Sequence, residues 1–200
     1  GAPWGPAASP VHIKDQCIAS HSSFYEQVLA HIPNTEGPDG EVIRSDVWSR
    51  NDPAFGPWTA DQDTFTENCV FQITEAAGRL SQLRRGALIV VDLGSDLRPE
   101  DFLNPGIPIG AVLSRELMLN LFAADTPLHD GAVLVRGNRI ESAGVILPLS
   151  RHSVSRFGTR HLAALGITER FDRCICIVVS EETGTLSLAN QGKLERPITS

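Results

Sequence analysis

Apolar positions after residue 60 repeat at helical spacing in three segments of the chain. The pattern TFTE at residues 64–67 is a capping box, which predicts the start of a helix that we expect to end near Arg85-Gly86. A second helix is expected after Ser114, whose hydroxyl can cap it, and a third from Gly158 to a closing Gly166. The predicted buried faces of the first two helices consist of Val70, Ile73, Ala77, Leu80 and Leu83, and of Leu117, Met118, Leu121 and Phe122.

Strands are predicted where apolar residues run without interruption or alternate with polar ones. Residues 86–92 form a nearly continuous apolar run, which is typical of a strand buried on both faces. Gly137-Asn138 suits a hairpin turn between two strands. The remaining strands are expected at 132–136, 139–147, 174–180 and 185–188. The mixture of helices and strands predicts an α/β (α+β) fold, in which helices flank a mixed central β-sheet.

The first 65 residues differ in composition from the rest of the chain. The whole sequence has 17 basic and 24 acidic residues, and three of the basic against nine of the acidic ones fall in this stretch. It contains one helix candidate, at about 14–30, and otherwise irregular chain. We therefore predict an N-terminal extension of unknown role over 1–65 and a core domain over 66–200. The extension fits a regulatory or dimer-modulating role, and its three tryptophans can anchor it to the core or bind a partner.

Charge and cysteine content exclude several classes of protein. The net charge of −7 disfavours a nucleic-acid-binding protein, so we expect no nucleic-acid partner. No apolar run approaches the roughly 20 residues of a membrane span, and the first 20 residues do not have the pattern of a signal peptide. The four cysteines form neither a disulfide framework nor a zinc site, which favours reduced thiols and a cytoplasmic setting. The phosphate-loop, dinucleotide-fingerprint, zinc-protease and nucleophile-elbow motifs do not occur.

Two segments could carry chemistry. Asp130 lies at a predicted loop-to-strand junction between His129 and Gly131, where a carboxylate can bind a divalent cation or accept a proton. The same residues also suit an ordinary Asp-Gly turn beside a surface histidine. Residues 158–161 place Gly, Thr, Arg and His at the start of a helix, which suits a phosphate group, although an N-capped helix with an exposed basic side has the same pattern.

Two further features bear on an anion site. Five arginines and two histidines lie between Arg151 and Arg173, in a chain that is acidic overall. The turn Ser180-Glu-Glu-Thr-Gly184 follows an apolar strand, and ligands often bind at such strand ends. A turn of this composition is equally expected without any function.

These segments resemble the diadenylate cyclase domain. The resemblance extends from about residue 76 to 195 and is carried by the blocks RRGALIVVD, GIPIGAVLSRELMLNLF, TPLHDGAVLVRGNRIESAGVILPLS, GTRHLAALGITE and VVSEETGTLSLANQGKL. The family's DGA signature is matched by Asp130, Gly131 and Ala132. Its RHR signature is matched by Arg160 and His161 but not at the third position, which is Leu162.

The resemblance implies a role for each matching residue. Asp130, within the DGA segment, would hold the catalytic divalent ion (Mn²⁺, Mg²⁺ or Co²⁺) and prepare the attacking ribose 3′-hydroxyl. His129 would assist at that ion, and Ile146 and Leu147 would line the adenine pocket. The other residues implied to bind ATP are Gly158, Thr159, Arg160, His161, Ser180 and Glu182.

The activity that the resemblance implies is the condensation of two ATP molecules into cyclic di-AMP with release of two pyrophosphates. Since each domain would hold one ATP, activity would require a head-to-head homodimer or a higher homo-oligomer. One alternative is a catalytically weak or inactive ATP- or cyclic di-AMP-binding sensor, because Leu162 removes a guanidinium that Arg151 or Arg156 would have to replace. An enzyme that uses another nucleotide is a third possibility.

Overall fold

The computed structural model describes residues 22–32, 34–36, 42–44, 61–95, 97–152 and 157–195. Four α-helices occur within these ranges, and α3 is preceded by a short 3-10 helix at Pro99–Asp101. The helices are α1 Ser22–Ala30, α2 Asp61–Gln82, α3 Arg115–Leu121 and α4 Thr159–Thr168. Within the described residues, no helix has both the length and the apolar character needed to cross a bilayer.

Two sheets are formed by the described strands. A small antiparallel pair consists of β1 Asn34–Glu36 and β2 Val42–Arg44. The main sheet has seven strands in the order β4-β6-β5-β3-β7-β8-β9. Its strands are β3 Ala87–Asp92, β4 Ile107–Val112, β5 Ala132–Arg136, β6 Arg139–Val145, β7 Cys174–Val179, β8 Leu186–Asn190 and β9 Lys193–Glu195. Because β3 and β5 are parallel and the other neighbours are antiparallel, the predicted mixed sheet is confirmed.

Helices cover both faces of the main sheet. On one face, α1, α2 and α3 pack on alternate strand residues such as Ile89 and Val91. On the other face, α4 packs on the intervening residues, among them Leu88 and Val90. All six residues of β3 are buried, as a strand covered on both faces requires. The main sheet is therefore held between two helical layers.

Several sequence predictions are confirmed. The Ser114 hydroxyl accepts a hydrogen bond from the Leu117 N–H at 3.2 Å and so caps α3. A two-residue turn at Gly137-Asn138 joins β5 to β6, with Gly137 at φ +59°. The predicted strands at 139–147 and 174–180 end slightly earlier than expected, at Val145 and Val179. The three described cysteines are free and buried.

Two predicted helix boundaries are wrong. Helix α2 begins at Asp61, so the proposed capping box at 64–67 lies inside it, and it ends at Gln82, which leaves Leu83 42% exposed. Helix α4 continues through Gly166 to Thr168. Gly166 does not close the helix; instead, the absence of a side chain there allows the backbone at 148–150 to pack against it. Close packing, rather than chain reversal, explains this glycine.

Four of the described strands were not predicted from the sequence. β4 is an edge strand that contains Pro108 and Gly110, and its outward residues are exposed, so it has neither a clean alternation nor a buried run. β9 has only three residues. β1 and β2 fall in the stretch that was expected to be irregular. Part of the predicted 185–188 strand is found in β8, which continues to Asn190.

The N-terminal part of the chain contributes to the core. Of the predicted helix at 14–30, residues 22–30 are helical as α1, and 14–21 lie outside the described residues. Five side chains at and after α1 are buried in the core next to α2: Phe24, Tyr25, Val28, Leu29 and Ile32. Since α2 also crosses the proposed boundary at 65/66, that division of the chain stays a prediction.

Candidate functional site

The predicted site residues gather at one edge of the main sheet. The register pairs Ala87 at the start of β3 with Val179 at the end of β7, and Ala132 at the start of β5 with Val145 at the end of β6. We call this border, marked by those four residues, the site edge. Residues 130–131, 146–147 and 180 all lie just beyond it. Neighbouring strands are about 5 Å apart, so segments that are distant in sequence meet within a few strand spacings.

The loop before β5 presents Asp130 at the site edge. Asp130 is exposed, while Ala132 is fully buried as the first residue of β5. Gly131 has φ +116°, and a Cβ there would lie 2.7 Å from the carbonyl carbon of Gly144. Only glycine fits both the conformation and the space, so Gly131 allows the loop to pack against β6 and hold Asp130 at the border.

His129 is oriented by the chain immediately before it. Its Nδ1 lies within hydrogen-bonding distance of the Thr126 carbonyl oxygen. A carbonyl can only accept, so Nδ1 carries the proton, and in the neutral ring Nε2 keeps its lone pair. Next to Asp130, this ring can therefore offer a nitrogen to a cation.

Helix α4 begins at the site edge without a side-chain cap. Its N-cap residue is Gly158, with extended backbone angles φ −70° and ψ 168°. Gly158 and Thr159 are both exposed. The first N–H groups of a helix lack acceptors within the helix, so this first turn can donate to an anion.

Arg160 extends from α4 to the start of β3. A Cβ built on Gly86 would lie 2.5 Å from the Arg160 Cζ and 2.9 Å from its Nη2, so the guanidinium lies directly against Gly86. Arg160 Nη1 also donates to Glu181 Oε2 at 3.2 Å. The Arg160 side chain is 28% exposed and that of Glu181 67%, so the guanidinium is held in place yet open to solvent.

His161 and Leu162 follow on the same helix. The His161 ring stacks on Phe157, with centroids 5.7 Å apart, and its Nε2 lies 3.5 Å from Ser187 Oγ on β8. Leu162 is half-buried, and its carbonyl accepts a hydrogen bond from the Ser150 N–H at 2.9 Å. His161 is thus fixed between a ring and a hydroxyl, while the Leu162 side chain offers no charge.

The turn after β7 is braced against the end of α2. The Ser180 carbonyl accepts from the Gly184 N–H at 2.8 Å, and Ser180 Oγ accepts from the Thr183 N–H at 3.3 Å. The Ser81 hydroxyl donates to the Gly184 carbonyl. This places Ser180 half-buried at the site edge and leaves Glu182 exposed.

The two predicted adenine-pocket residues have different environments. Ile146 is 41% exposed, and its backbone N–H and carbonyl are hydrogen-bonded to the chain at 103–104. Leu147 is 3% exposed, with its side chain in the core beneath α4. An adenine at this position would therefore contact the Ile146 side chain, whereas Leu147 could offer only backbone groups.

The described arginines between residues 151 and 173 do not all lie at the site edge. Arg170 and Arg173 lie beyond the opposite end of α4, about 15 Å along the helix from Thr159. Arg151 is exposed, and Arg156 lies outside the described residues. The structure instead places Arg84-Arg85 at the site edge, directly before Gly86.

Sequence reasoning also missed Gly86 and Glu181. Both contact Arg160, from the start of β3 and from the turn after β7. The only sequence signal was that the RRG triplet directly precedes one apolar run and the SEE triplet directly follows another. The sheet register shows that the two runs are neighbouring antiparallel strands, which brings these two triplets together.

Comparisons with known proteins identify a family for this chain. A sequence model of the family described as DisA bacterial checkpoint controller nucleotide-binding (DAC) matches residues 74–194. Cyclic di-AMP synthase CdaA of Bacillus subtilis is 43% identical over 129 residues, which are 64% of this chain and 46% of that protein. A diadenylate cyclase of Listeria monocytogenes is 46% identical with the same coverage. The chain thus spans about half the length of these curated relatives.

Solved structures give the same result for the fold. A double mutant of DacA from Staphylococcus aureus superposes with a TM-score of 0.59 at 35% sequence identity. The match covers 70% of this chain and 90% of that structure. The described sheet and helices therefore form a fold that is already known from experiment.

Proposed function

The chain belongs to the DisA bacterial checkpoint controller nucleotide-binding (DAC) family, and on that basis we propose that it is a diadenylate cyclase. It would condense two ATP molecules into cyclic di-AMP and release two pyrophosphates. One observation carries the proposal beyond family membership. Asp130, an exposed carboxylate, lies in the loop that leads into β5, and the neighbouring strand β3 begins directly after Gly86, on which the Arg160 guanidinium rests.

These two groups suit the two halves of the reaction. In each step the ribose 3′-oxygen of one ATP attacks the α-phosphorus of the other, a new P–O bond forms, and the bond to the pyrophosphate oxygen breaks. Asp130 orients the attacking hydroxyl, and Arg160 and the first turn of α4 hold the phosphates. Catalysis of this kind depends on positioning and on charge complementary to the phosphoryl group.

The other implied residues complete the nucleotide site. Thr159 and His161 flank Arg160 in the first turn of α4, and Ser180 closes the side next to β7, with Glu182 beside it. Ile146 supplies an exposed apolar side chain for the adenine ring, and Leu147 can contribute only its backbone.

A divalent ion fits the chemistry of the residues at Asp130. The Asp130 carboxylate is open, and the Nε2 lone pair of His129 is free to bind because Nδ1 is engaged by a carbonyl. No group of three or more metal-binding side chains occurs in the described residues, so phosphates and water would complete the ligand set, as is usual for Mg²⁺ and Mn²⁺. When bound, Mn²⁺, Mg²⁺ or Co²⁺ would neutralise the charge that develops on the phosphates.

Activity requires two copies of the chain, because each site holds one ATP and the two hydroxyls attack reciprocally. The exposure of Asp130 supports this, since a carboxylate that meets the partner's nucleotide has to lie at the surface. We propose a homodimer or a higher homo-oligomer as the active form. The buried free thiols also fit a cytoplasmic setting, where ATP is available.

A nucleotide sensor without turnover is the second candidate, and Leu162 motivates it. Its half-buried side chain offers no charge where the family signature has an arginine. Loss of one charge-assisted hydrogen bond weakens phosphate binding by about 1.5–3 kcal/mol unless another group replaces it. Arg84 and Arg85 lie at the same site edge and could replace it. The positions of His129 and Asp130 favour the enzyme.

The experiment is a product assay with purified protein, ATP and Mn²⁺, Mg²⁺ or Co²⁺, in which cyclic di-AMP is detected by mass spectrometry. Asp130→Asn should abolish product while ATP still binds. Asp172→Asn, the same charge change in the exposed turn before β7, should be as active as wild type. Competition between ATP and GTP tests nucleotide choice, and specific activity that falls on dilution supports the oligomer.

Product from wild type but not from Asp130→Asn would support the cyclase. ATP binding without product with every ion would favour the sensor, and Leu162→Arg would then test whether the missing guanidinium is the cause.

A further inference from the structure

Gly86 lies where a side chain would collide with the Arg160 guanidinium. The three atoms nearest to a Cβ built at position 86 are Nη1, Cζ and Nη2 of Arg160, all within 2.9 Å. Gly86 is buried, and its φ lies outside the left-handed region that favours glycine. The backbone conformation therefore does not require glycine here. The neighbour that a side chain at this position would displace is the Arg160 guanidinium.

The register of the sheet explains why this contact matters. β3 and β5 run parallel with Ile89 beside Val133, and the same register continued to the strand starts sets Gly86 beside Asp130. Gly86, on which the guanidinium rests, is thus about one strand spacing, roughly 5 Å, from the segment that carries the carboxylate.

A second contact fixes the guanidinium from the side of β7. Arg160 Nη1 donates to Glu181 Oε2 at 3.2 Å, and Glu181 follows β7, whose end is paired with the start of β3. A guanidinium has five N–H donors, so this bond leaves others for a phosphate. Contact with Gly86 and the bond to Glu181 together hold the side chain before any anion arrives, which reduces the entropy lost on binding.

We propose that Gly86 is a positioning residue, and that with Glu181 it forms a seat that sets where Arg160 meets the ATP phosphates. This inference rests on the proposed function, because the ATP phosphates are the groups that Arg160 would bind. The roles of Gly86 and Glu181 go beyond that function. Gly86 acts through the space that it leaves, and Glu181 acts through its bond to Arg160.

The main test is Gly86→Ala in the full chain. The atoms that would clash are the far end of a flexible side chain, so the fold should accept alanine and the melting temperature should stay within about 2 °C of wild type. The displaced guanidinium should lower kcat/KM for ATP roughly 10- to 100-fold, the range expected for loss of one charge-assisted contact.

A double-mutant cycle separates this role from a general one. If Gly86 acts through Arg160, Gly86→Ala should have no further effect on kcat/KM in an Arg160→Ala background. Glu181→Ala should give a smaller loss, a few-fold in KM, and Asp172→Asn should give none. Wild-type kinetics in Gly86→Ala, or an equal loss with and without Arg160, would overturn the proposal.

Failure of the seat and failure of the proposed function give different results. If the wild type binds ATP but makes no cyclic di-AMP, the same variants are compared by ATP affinity in calorimetry. If it binds no nucleotide, the Arg160 Nε–H resonance, assigned by its loss in Arg160→Lys, is compared by NMR. A resonance shifted in both Gly86→Ala and Glu181→Ala supports the seat, whereas an unchanged one refutes it.

Discussion

Replacing Gly166 by alanine tests how tightly α4 is packed behind the candidate site. A Cβ at this position would overlap the Pro148 carbonyl oxygen and lie 2.7 Å from the Leu149 carbonyl carbon and the Ser150 nitrogen. All of these are backbone atoms, which cannot rotate away as a side chain can. Carbon contacts are normally 3.5–4.0 Å, so α4 and the 148–150 chain would have to separate by roughly 1 Å.

Two opposing effects set the magnitude for Gly166→Ala. Alanine is about 1 kcal/mol better than glycine inside a helix, which by itself predicts a more stable protein. Overpacking of a tight site costs about 1–3 kcal/mol, and a backbone neighbour places this case at the upper end. We therefore expect a net loss of about 1–2 kcal/mol, which is a fall in melting temperature of roughly 2–8 °C for a chain of this size.

The assay is thermal unfolding of both proteins, followed by ATP affinity. Since α4 carries Thr159, Arg160 and His161, its displacement should also weaken nucleotide binding. Gly158→Ala is a control for stability, because nothing lies within 4 Å of a Cβ there and only the cap preference changes, at a cost below about 1 kcal/mol. A Gly166→Ala protein as stable as wild type, or more stable, would refute the packing argument.

Three further predictions concern the fold around the site. Asp92→Ala removes a fully buried carboxylate that accepts hydrogen bonds from three backbone N–H groups and an arginine. Urea unfolding should show a free energy of unfolding lower by about 3–5 kcal/mol. A loss below about 1 kcal/mol would contradict this interpretation. Burial raises the pKa of Glu195, but hydrogen bonds from Gln27 and His31 outweigh it and lower the pKa overall. A carboxyl group whose pKa is lowered in the folded protein stabilises the fold at pH values above the pKa that it has in the unfolded chain. Glu195→Gln should therefore cost less than about 1 kcal/mol at pH 7. The difference from wild type in thermal unfolding should vanish as the pH falls below about 4. Deleting residues 1–60 removes five buried core side chains and should cost several kcal/mol of stability, whereas unchanged stability, activity and oligomeric state would contradict any structural or regulatory role for that segment.

Local patterns predicted the elements that are decided by local interactions. The β3 run, the two-residue hairpin and the Ser114 cap all follow from residues that are adjacent or a few positions apart. β4 was missed because a proline, a glycine and an exposed edge position hide its alternation. Gly166 was misread because a glycine that closes a helix and a glycine that admits another chain look the same in a sequence.

The sequence predicted some residues of the candidate site and not others. The two signature segments predicted Asp130, Arg160 and His161 as site residues, and the structure places these segments at one edge of the sheet. The sequence also has arginines on either side of the second segment, but Arg170 and Arg173 lie beyond the opposite end of α4.

By itself, the sequence determined the class of fold, the candidate segments for chemistry and the family resemblance, because periodicity and motif spacing are properties of neighbouring residues. Only the tertiary structure decided that Gly86, Arg160 and Glu181 meet. Their contact depends on β3 lying beside β7 and on α4 beginning at the same border. Such contacts are fixed by sheet register and by excluded volume between distant parts of the chain, and neither leaves a local pattern in the sequence.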